Sequence, residues 1–289
     1  MRVLITGASG QLGQSLLMQK NHPHELIAFS KTQLDITDTD KLNTILEESK
    51  PDVVINLAAY TAVDQAETNI DAAFAVNAEA VKNIAKITNS HQIPIIHLST
   101  DYVFSGDKEL PYLETDIPNP INVYGKSKLA GEIAIREYNP MHIIVRSSWV
   151  FSAIGKNFLK TILRLTQEKK EISIVNDQIG GPTCADDLAS FLILLLNQLK
   201  QFSDTDWGVY HYCGTPYVSW FEFAQEIINQ LNSKSRIISI SSQQYAGAAR
   251  RPANSRLNME KAQVRFAIPS INWRYKLKQL VVPAPINMS

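Results

Sequence analysis

Tyr124 and Lys128 stand four residues apart in a segment of helical pattern, so their side chains share one helix face. A phenol beside an ammonium suits the proton half of a carbonyl reduction. Hydride addition to a ketone leaves an alkoxide that needs a proton, and a phenol of ordinary pKa, about 10, is a poor partner unless tuned. The ammonium favours phenolate, so Lys128 is expected to draw the Tyr124 pKa downward; a shift of about three units corresponds to about 4 kcal/mol. Lys128 is also placed to hold a cofactor ribose. Just upstream, Ser99, Thr100 and Asp101 close an apolar run. Thr100 there suits either a hydroxyl that polarises a substrate carbonyl or a strand-terminal cap.

A second constellation lies at the start of the chain, where Gly7, Gly10 and Gly13 form GxxGxxG directly after a strand-like run and before a helical one. Glycines there permit a tight turn and close backbone approach, and the helix N-terminus offers unpaired N–H groups to a pyrophosphate. The next strand-like run ends in Ala28, Phe29, Ser30 and Lys31. An acid at that place binds the ribose 2′-hydroxyl of NAD. Ser30 and Lys31 would not repel a 2′-phosphate, and Lys31 can pair with one, so NADPH is favoured with NADH still admissible. Asp35 suits either a helix N-cap or a contact with the adenine edge.

These groups need a scaffold that brings strand ends together. Short β-branched runs at Arg2 to Thr6, Glu25 to Phe29, Val53 to Asn56, Ile95 to Ser99 and Ile143 to Arg146 alternate with helical periods near Leu12 to Gln19, Thr39 to Glu48, Ile70 to Asn89 and Ser127 to Glu137. That succession predicts an α/β fold: a Rossmann-type doubly wound parallel sheet over residues 1–150, with a smaller C-terminal substrate-binding lobe. The apolar helix expected from Asp186 to Leu199 assigns 178–200 to the main sheet, leaving 151–177 and 201–289 to the lobe.

With 28 basic and 28 acidic residues the formal charge is zero, so no global field attracts nucleic acid or an anionic membrane. No apolar run approaches the roughly 20 residues of a membrane span, and the opening residues lack the pattern of a signal peptide. A cytoplasmic protein is expected. Cys184 and Cys213, the only cysteines, read as reduced core thiols, and no metal ligand set is apparent.

Longer strings carry more information: AAYTAVDQAE from Ala58, STDYVFSG from Ser99, NVYGKSKLAGE from Asn122, RSSWVF from Arg146, NDQIGGPT from Asn176 and RRPANSRL from Arg250. On these the chain resembles, over nearly its whole length, the extended short-chain dehydrogenases and, within them, the dTDP-4-dehydrorhamnose reductase family. The resemblance implies a catalytic triad of Thr100, Tyr124 and Lys128. It implies cofactor contacts from Gln11, Leu12, Asp35, Ile36, Ala58, Ala59 and Tyr60. Thr61, Val63, Asp101, Tyr102 and Trp149 are then expected to face a dTDP-sugar, although Trp149 and Tyr102 equally suit core positions. Arg250 and Arg251 suit a diphosphate or carboxylate pairs that fix the C-terminal segment. The implied reaction is NADPH-dependent reduction of a C4 ketone on a dTDP-sugar. A homodimer is compatible with the resemblance. Some relatives use acidic residues near the C-terminus for a metal-assisted contact, and none follows Glu260 here. Another nucleotide-sugar 4-ketoreductase or an epimerase of the same fold, or a non-catalytic regulatory subunit, are the alternatives; the intact Tyr124 and Lys128 argue against the regulatory subunit.

Overall fold

Strands rich in Val, Ile and Leu on both faces have to be covered on both faces, and that dictates the architecture. The computed structural model describes residues 1–281 apart from Asn232 and Ala246. The order begins β1 (Arg2–Thr6), α1 (Gln11–Leu17), β2 (Glu25–Phe29), α2 (Thr39–Ser49), β3 (Val53–Asn56), α3 (Val63–Ala66) and α4 (Ile70–Phe74). A π-helical turn, Ala75–Glu79, runs into α5 (Ala80–Ser90). Then come β4 (Ile95–Thr100), a 3₁₀ turn (Asp101–Val103), α6 (Val123–Tyr138) and β5 (His142–Ser147).

These five strands and a later one, Gly208–His211, form a six-stranded sheet in which all neighbours are parallel; β1 lies between β2 and β3, and the chain then steps outward through β4 and β5. The order therefore reverses at β1 and β3, the topological switch point at which such sheets open a crevice. Alternate strand residues face opposite layers. Val3, Ile5, Val53 and Ile55 pack with Leu12 and Leu16 of α1, while Leu4, Val54 and Ile95 pack with Leu42 and Leu46 of α2 and Val81 and Ile84 of α5.

The remaining elements are β6 (Val150–Phe151), α7 (Phe158–Glu168), β7 (Glu171–Val175), β8 (Ile179–Gly180), β9 (Thr183–Cys184), α8 (Ala185–Gln198), β10 (Gly208–His211), β11 (Val218–Ser219), α9 (Trp220–Leu231), β12 (Arg236–Ile240), β13 (Asn254–Ser255), α10 (Glu260–Phe266) and α11 (Trp273–Val281). Helix α8 lies beside α1: Leu188, Leu192 and Leu195 join the core over β1 and β3, and Ser15 Oγ donates to Asp186 Oδ1 at 2.7 Å. A separate core of Phe151, Leu159, Ile162, Phe223, Ile227 and Trp273 holds α7, α9 and α11 together. Both cysteines are buried and free.

The assignment of 201–289 to the smaller lobe needs correction at one place. Strand β10 pairs with β5 in the main sheet, and Phe266 of α10 packs on Tyr210. A four-residue strand opening at a glycine with φ of 127° carries too little periodicity to be assigned from sequence.

Candidate active site

The carboxyl ends of β1, β3, β4 and β5 open into a cavity of about 810 Å³, bordered also by Gly155, Lys156 and Asn157 ahead of α7 and by Trp220 at the start of α9. The glycine loop forms its floor. Gly7 has φ of 70°, and a Cβ there would stand 2.6 Å from the Ala58 amide nitrogen; a Cβ on Gly13 would stand 2.7 Å from Ala8 Cα and Gly7 O. Both positions demand glycine for space, and Gly7 also for conformation. Helix α1 starts at Gly10 with no side-chain cap, leaving its first amides facing the cavity that Gly10, Gln11, Leu12 and Gly13 line. This uncapped cradle fits the pyrophosphate of a dinucleotide. Gly7→Ala is expected to weaken NADPH binding by about tenfold or more, because the left-handed backbone alone costs about 1–2 kcal/mol with a side chain present and the methyl meets fixed backbone. Fluorescence titration of NADPH measures this, and binding equal to wild type would overturn it.

Of the residues named from sequence, Lys31, Asp35, Ile36, Ala58, Ala59, Tyr60, Thr61, Val63, Thr100, Asp101, Tyr102, Tyr124 and Trp149 line the same cavity as the glycine loop. Ser30 does not; its N–H and Oγ both donate to Gln33 Oε1, at 2.9 and 2.8 Å, within its own turn. Asp35 is not the cap of α2. That place belongs to Asp38, which accepts from the Lys41 amide, while Asp35 accepts from the Thr37 amide and hydroxyl, bonds that hold its carboxyl below the usual range. Lys31 pairs with Asp35 at 3.8 Å.

Lys128 is not in the cavity wall either. It is buried behind the wall, its Nζ donating to Leu98 O at 2.7 Å and lying 3.1 Å from His97 Nε2. Burial draws its pKa down to about 8, with Glu132 pulling the other way. Correspondingly, the expected lowering of the Tyr124 phenol does not prevail. Burial pushes that group up to about 12, opposed by the Thr100 hydroxyl and assisted by Asp101. The lysine is turned toward β4, so burial dominates and Tyr124 stays a protonated donor. Asp101, whose Oδ1 accepts from Thr100 Oγ1 at 3.1 Å, has its other oxygen buried without a partner, and burial raises its pKa to about 6. Thr100 also caps the 3₁₀ turn through the Tyr102 amide, so the hydroxyl and cap roles coexist in one residue.

Local devices fix these groups. Asn122 caps α6 by accepting from Gly125 N–H at 2.8 Å, and a Cβ on Gly125 would meet Tyr102 O at 2.1 Å, so the helix carrying Tyr124 sits directly on the 3₁₀ turn. Asn77 of the π turn brackets Tyr60 from both sides, accepting from its N–H and donating to its carbonyl, and donates to Ser127 Oγ. It thereby ties the β3 loop to α6, a use typical of π turns near sites. Arg251 is a clamp for the C-terminal segment, bonded to Asp64 Oδ2 at 2.6 Å.

Sequence reasoning missed Ser147, Lys156, Asn157 and Trp220, which also line the cavity. Trp149, at φ 49°, stacks on Trp220 with centroids 3.5 Å apart, and Gly180 leaves room for its indole edge. The indole is thus both packed and cavity-lining. Gln11 Oε1 accepts from Ser152 Oγ and Asn157 Nδ2 at 3.0 and 2.9 Å, which joins the glycine loop to the start of α7. No spacing rule connects positions 141 and 146 residues apart.

Residues 1–284 match the family described as the RmlD substrate binding domain. The chain is 42% identical over 287 residues to the dTDP-4-dehydrorhamnose reductase of Aggregatibacter actinomycetemcomitans, covering 96% of this chain and 98% of that one. It is 36% identical to the reductase of the same name from Escherichia coli K12, with 97% of each covered. Among solved structures, the dTDP-4-dehydrorhamnose reductase of Bacillus anthracis in complex with NADP superposes with a TM-score of 0.89 at 38% identity, covering 96% of this chain and 98% of that one. With the glycine cradle, Thr100 and Tyr124 on one cavity and near full-length matches of this kind, the chain belongs to the RmlD substrate-binding-domain family, alongside the dTDP-4-dehydrorhamnose reductases.

Proposed function

We propose that this protein is an oxidoreductase that reduces the C4 ketone of dTDP-4-dehydro-L-rhamnose to give dTDP-L-rhamnose, with NADPH preferred and NADH admissible. The observation that carries this reading is a single cavity bounded by the glycine cradle at one end and by Thr100, Asp101, Tyr102 and Tyr124 further along. Bound NADPH supplies the hydride. The glycine loop, Gly7 to Gly13, would hold its pyrophosphate, with Gln11, Leu12 and Gly13 offering the amides of the first helical turn, Lys31 would meet the adenosine phosphate, and Asp35, Ile36, Ala58, Ala59 and Tyr60 would flank the remainder.

Thr100, its hydroxyl hydrogen turned from Asp101 toward the substrate, donates to the carbonyl oxygen and polarises it. Tyr124 delivers the proton to that oxygen as the alkoxide develops. Its pKa of about 12 keeps it protonated until then. Lys128, one helical turn away, balances the phenolate left behind. Thr61, Val63, Asp101 and Tyr102 surround the sugar, and the Trp149 and Trp220 stack offers an aromatic wall to the sugar or base.

Among the described residues no helix is long and apolar enough to cross a membrane, in keeping with a cytoplasmic enzyme; the exposed Leu110, Leu113 and Ile117 offer apolar surface to a second copy in a homodimer. The division into a dinucleotide-binding part, 1–150 with α8 and β10, and a smaller substrate lobe belongs to the same reading. The test is stoichiometric oxidation of NADPH, followed by absorbance, with enzymatically generated dTDP-4-dehydro-L-rhamnose and chromatographic identification of the product. NADPH consumption matched by dTDP-L-rhamnose is expected. Conversion without net NADPH consumption would identify an epimerase instead.

A further inference from the structure

Behind the cavity wall, Lys128 ends a buried polar chain that hydride transfer does not itself require. His97 Nε2 lies 3.1 Å from Lys128 Nζ, and His97 Nδ1 lies 3.0 Å from Asn56 Nδ2. Asn56 Oδ1 in turn accepts from Thr6 Oγ1 at 2.6 Å and from the Ala58 amide at 3.3 Å. Thr6, Asn56 and His97 have no exposed surface at all. The chain stops inside the sheet at Thr6, so it offers no proton exit to solvent. It can, however, govern whether the lysine is charged.

Donor and acceptor rules decide which form the geometry represents. A backbone N–H only donates, so the Ala58 amide turns the Asn56 oxygen toward itself and the Asn56 NH₂ toward His97. An NH₂ also only donates. His97 Nδ1 must therefore accept, which places the single proton of the neutral ring on Nε2. Burial and the adjacent lysine keep the ring neutral by holding it well below its usual range. The Nε2–H then faces Lys128, whose nitrogen can accept only as an amine. An ammonium in the same place needs the opposite arrangement: a lone pair on Nε2, the proton on Nδ1, and the Asn56 amide turned half a revolution so that its oxygen meets Nδ1. The turned NH₂ would donate to Thr6 Oγ1, and only the Ala58 bond, the longest of the set, would be given up.

We propose that His97 and Asn56 are positioning residues acting through Lys128, the imidazole tautomer and the amide orientation inverting together whenever the lysine gains or loses its proton. The pair thereby sets the pH at which Lys128 is an ammonium. Other groups facing α6 do not compete for this task. Glu132, one turn along the same helix, favours the ammonium but is itself held by Arg146 of β5. Asp101 of the 3₁₀ turn acts on Tyr124, Glu67 after α3 takes the Val123 amide, the π turn presents neutral Asn77, and Lys86 of α5 lies over Tyr138 at the far end. With Lys128 at about 8, the inversion falls in the mildly alkaline range. Its effect on turnover rests on the reductase reading, because an ammonium stabilises the phenolate that Tyr124 leaves and an amine does not.

The test is ¹⁵N NMR of histidine-labelled protein without cofactor at about pH 6.5 and about pH 9.5, on either side of the lysine's transition, using His97→Gln to assign the signal. Expected are an Nδ1–H tautomer at the lower pH and an Nε2–H tautomer at the higher one, with no imidazolium between, and a midpoint shared with the Lys128 ε-carbon signal. In Asn56→Asp the new carboxylate accepts from Nδ1–H throughout. That variant should hold one tautomer and move the lysine midpoint up by about one pH unit; the wild-type measurement stands even where the variant does not fold. The same tautomer at both pH values, or a ring that itself becomes cationic, would overturn the proposal. Neither result depends on substrate: inversion in a protein that fails to oxidise NADPH sinks the reductase reading alone, and a constant tautomer in an active reductase sinks the switch alone.

Discussion

Tyr124→Phe is expected to lower kcat by about 10²–10⁴-fold, the usual contribution of a positioned proton donor, while NADPH binding stays within about twofold. The phenol stands in the cavity wall beside Thr100, and burial keeps it protonated with a pKa of about 12. It is therefore a donor across the working pH range. Phenylalanine preserves the ring and its edge-on contact with Tyr102, whose centroid lies 5.5 Å away, so the cavity keeps its shape and loses only the proton. Both kcat and kcat/KM should fall together, the signature of an interaction made in the transition state. Steady-state NADPH oxidation combined with fluorescence titration separates the two effects. Turnover equal to wild type would remove Tyr124 from its assigned role.

The largest stability effect is expected at Glu132, which is fully buried and bound to Arg146, 1% exposed, through Nε to Oε1 at 2.9 Å and Nη2 to Oε2 at 2.6 Å. Ser99 Oγ also donates to Oε1 at 2.5 Å. Glu132→Ala leaves a guanidinium enclosed in the core without a bonded carboxylate, facing the Phe104 ring at 5.0 Å and His211 at long range, with Glu114 acting on it only through space. Removing one partner of such a pair costs about 3–5 kcal/mol. By contrast, cutting the exposed Arg164–Glu168 pair on α7 should cost about 0.5 kcal/mol or less. Equilibrium urea unfolding of the two variants makes the comparison, and equal small losses would show that Arg146 finds other company. Glu132 also joins α6, β4 and β5 just below Thr100 and Tyr124, so a folded variant should lose activity through misplacement of both groups.

What the sequence made legible follows from where burial is uniform. Strands β1 and β3 stand out because their residues are buried and mostly apolar, β4 and β5 because each opens or centres on a run of Ile, Leu and Val, and the glycine loop stands out because close approaches at Gly7 and Gly13 each exclude a side chain. The helical period from Ile70 to Asn89 was visible, yet the π turn within it was not, since one extra residue per turn leaves the apolar pattern nearly intact. The small lobe was opaque because several of its strands have only two residues, as at β8, β9, β11 and β13. Trp220 reads as one aromatic among several until the fold lays it on Trp149. Asn56 and His97 are hidden for a different reason: a polar residue in an apolar strand looks the same in sequence whether it is merely satisfied or sets the charge of a neighbour.

The late return of α8 and β10 to the main sheet bears on how the chain is made. When residues 1–150 have left the ribosome, β1 to β5 can pair, but the apolar layer of Val3, Ile5, Val53 and Ile55 still waits for Leu188, Leu192 and Leu195. The β5 edge likewise stays open until Gly208–His211 arrives. An uncovered sheet face and a free strand edge are the two features that make nascent chains associate wrongly. The interval between synthesis of the fifth strand and of the eighth helix is thus the stretch of translation in which this protein has most need of a chaperone.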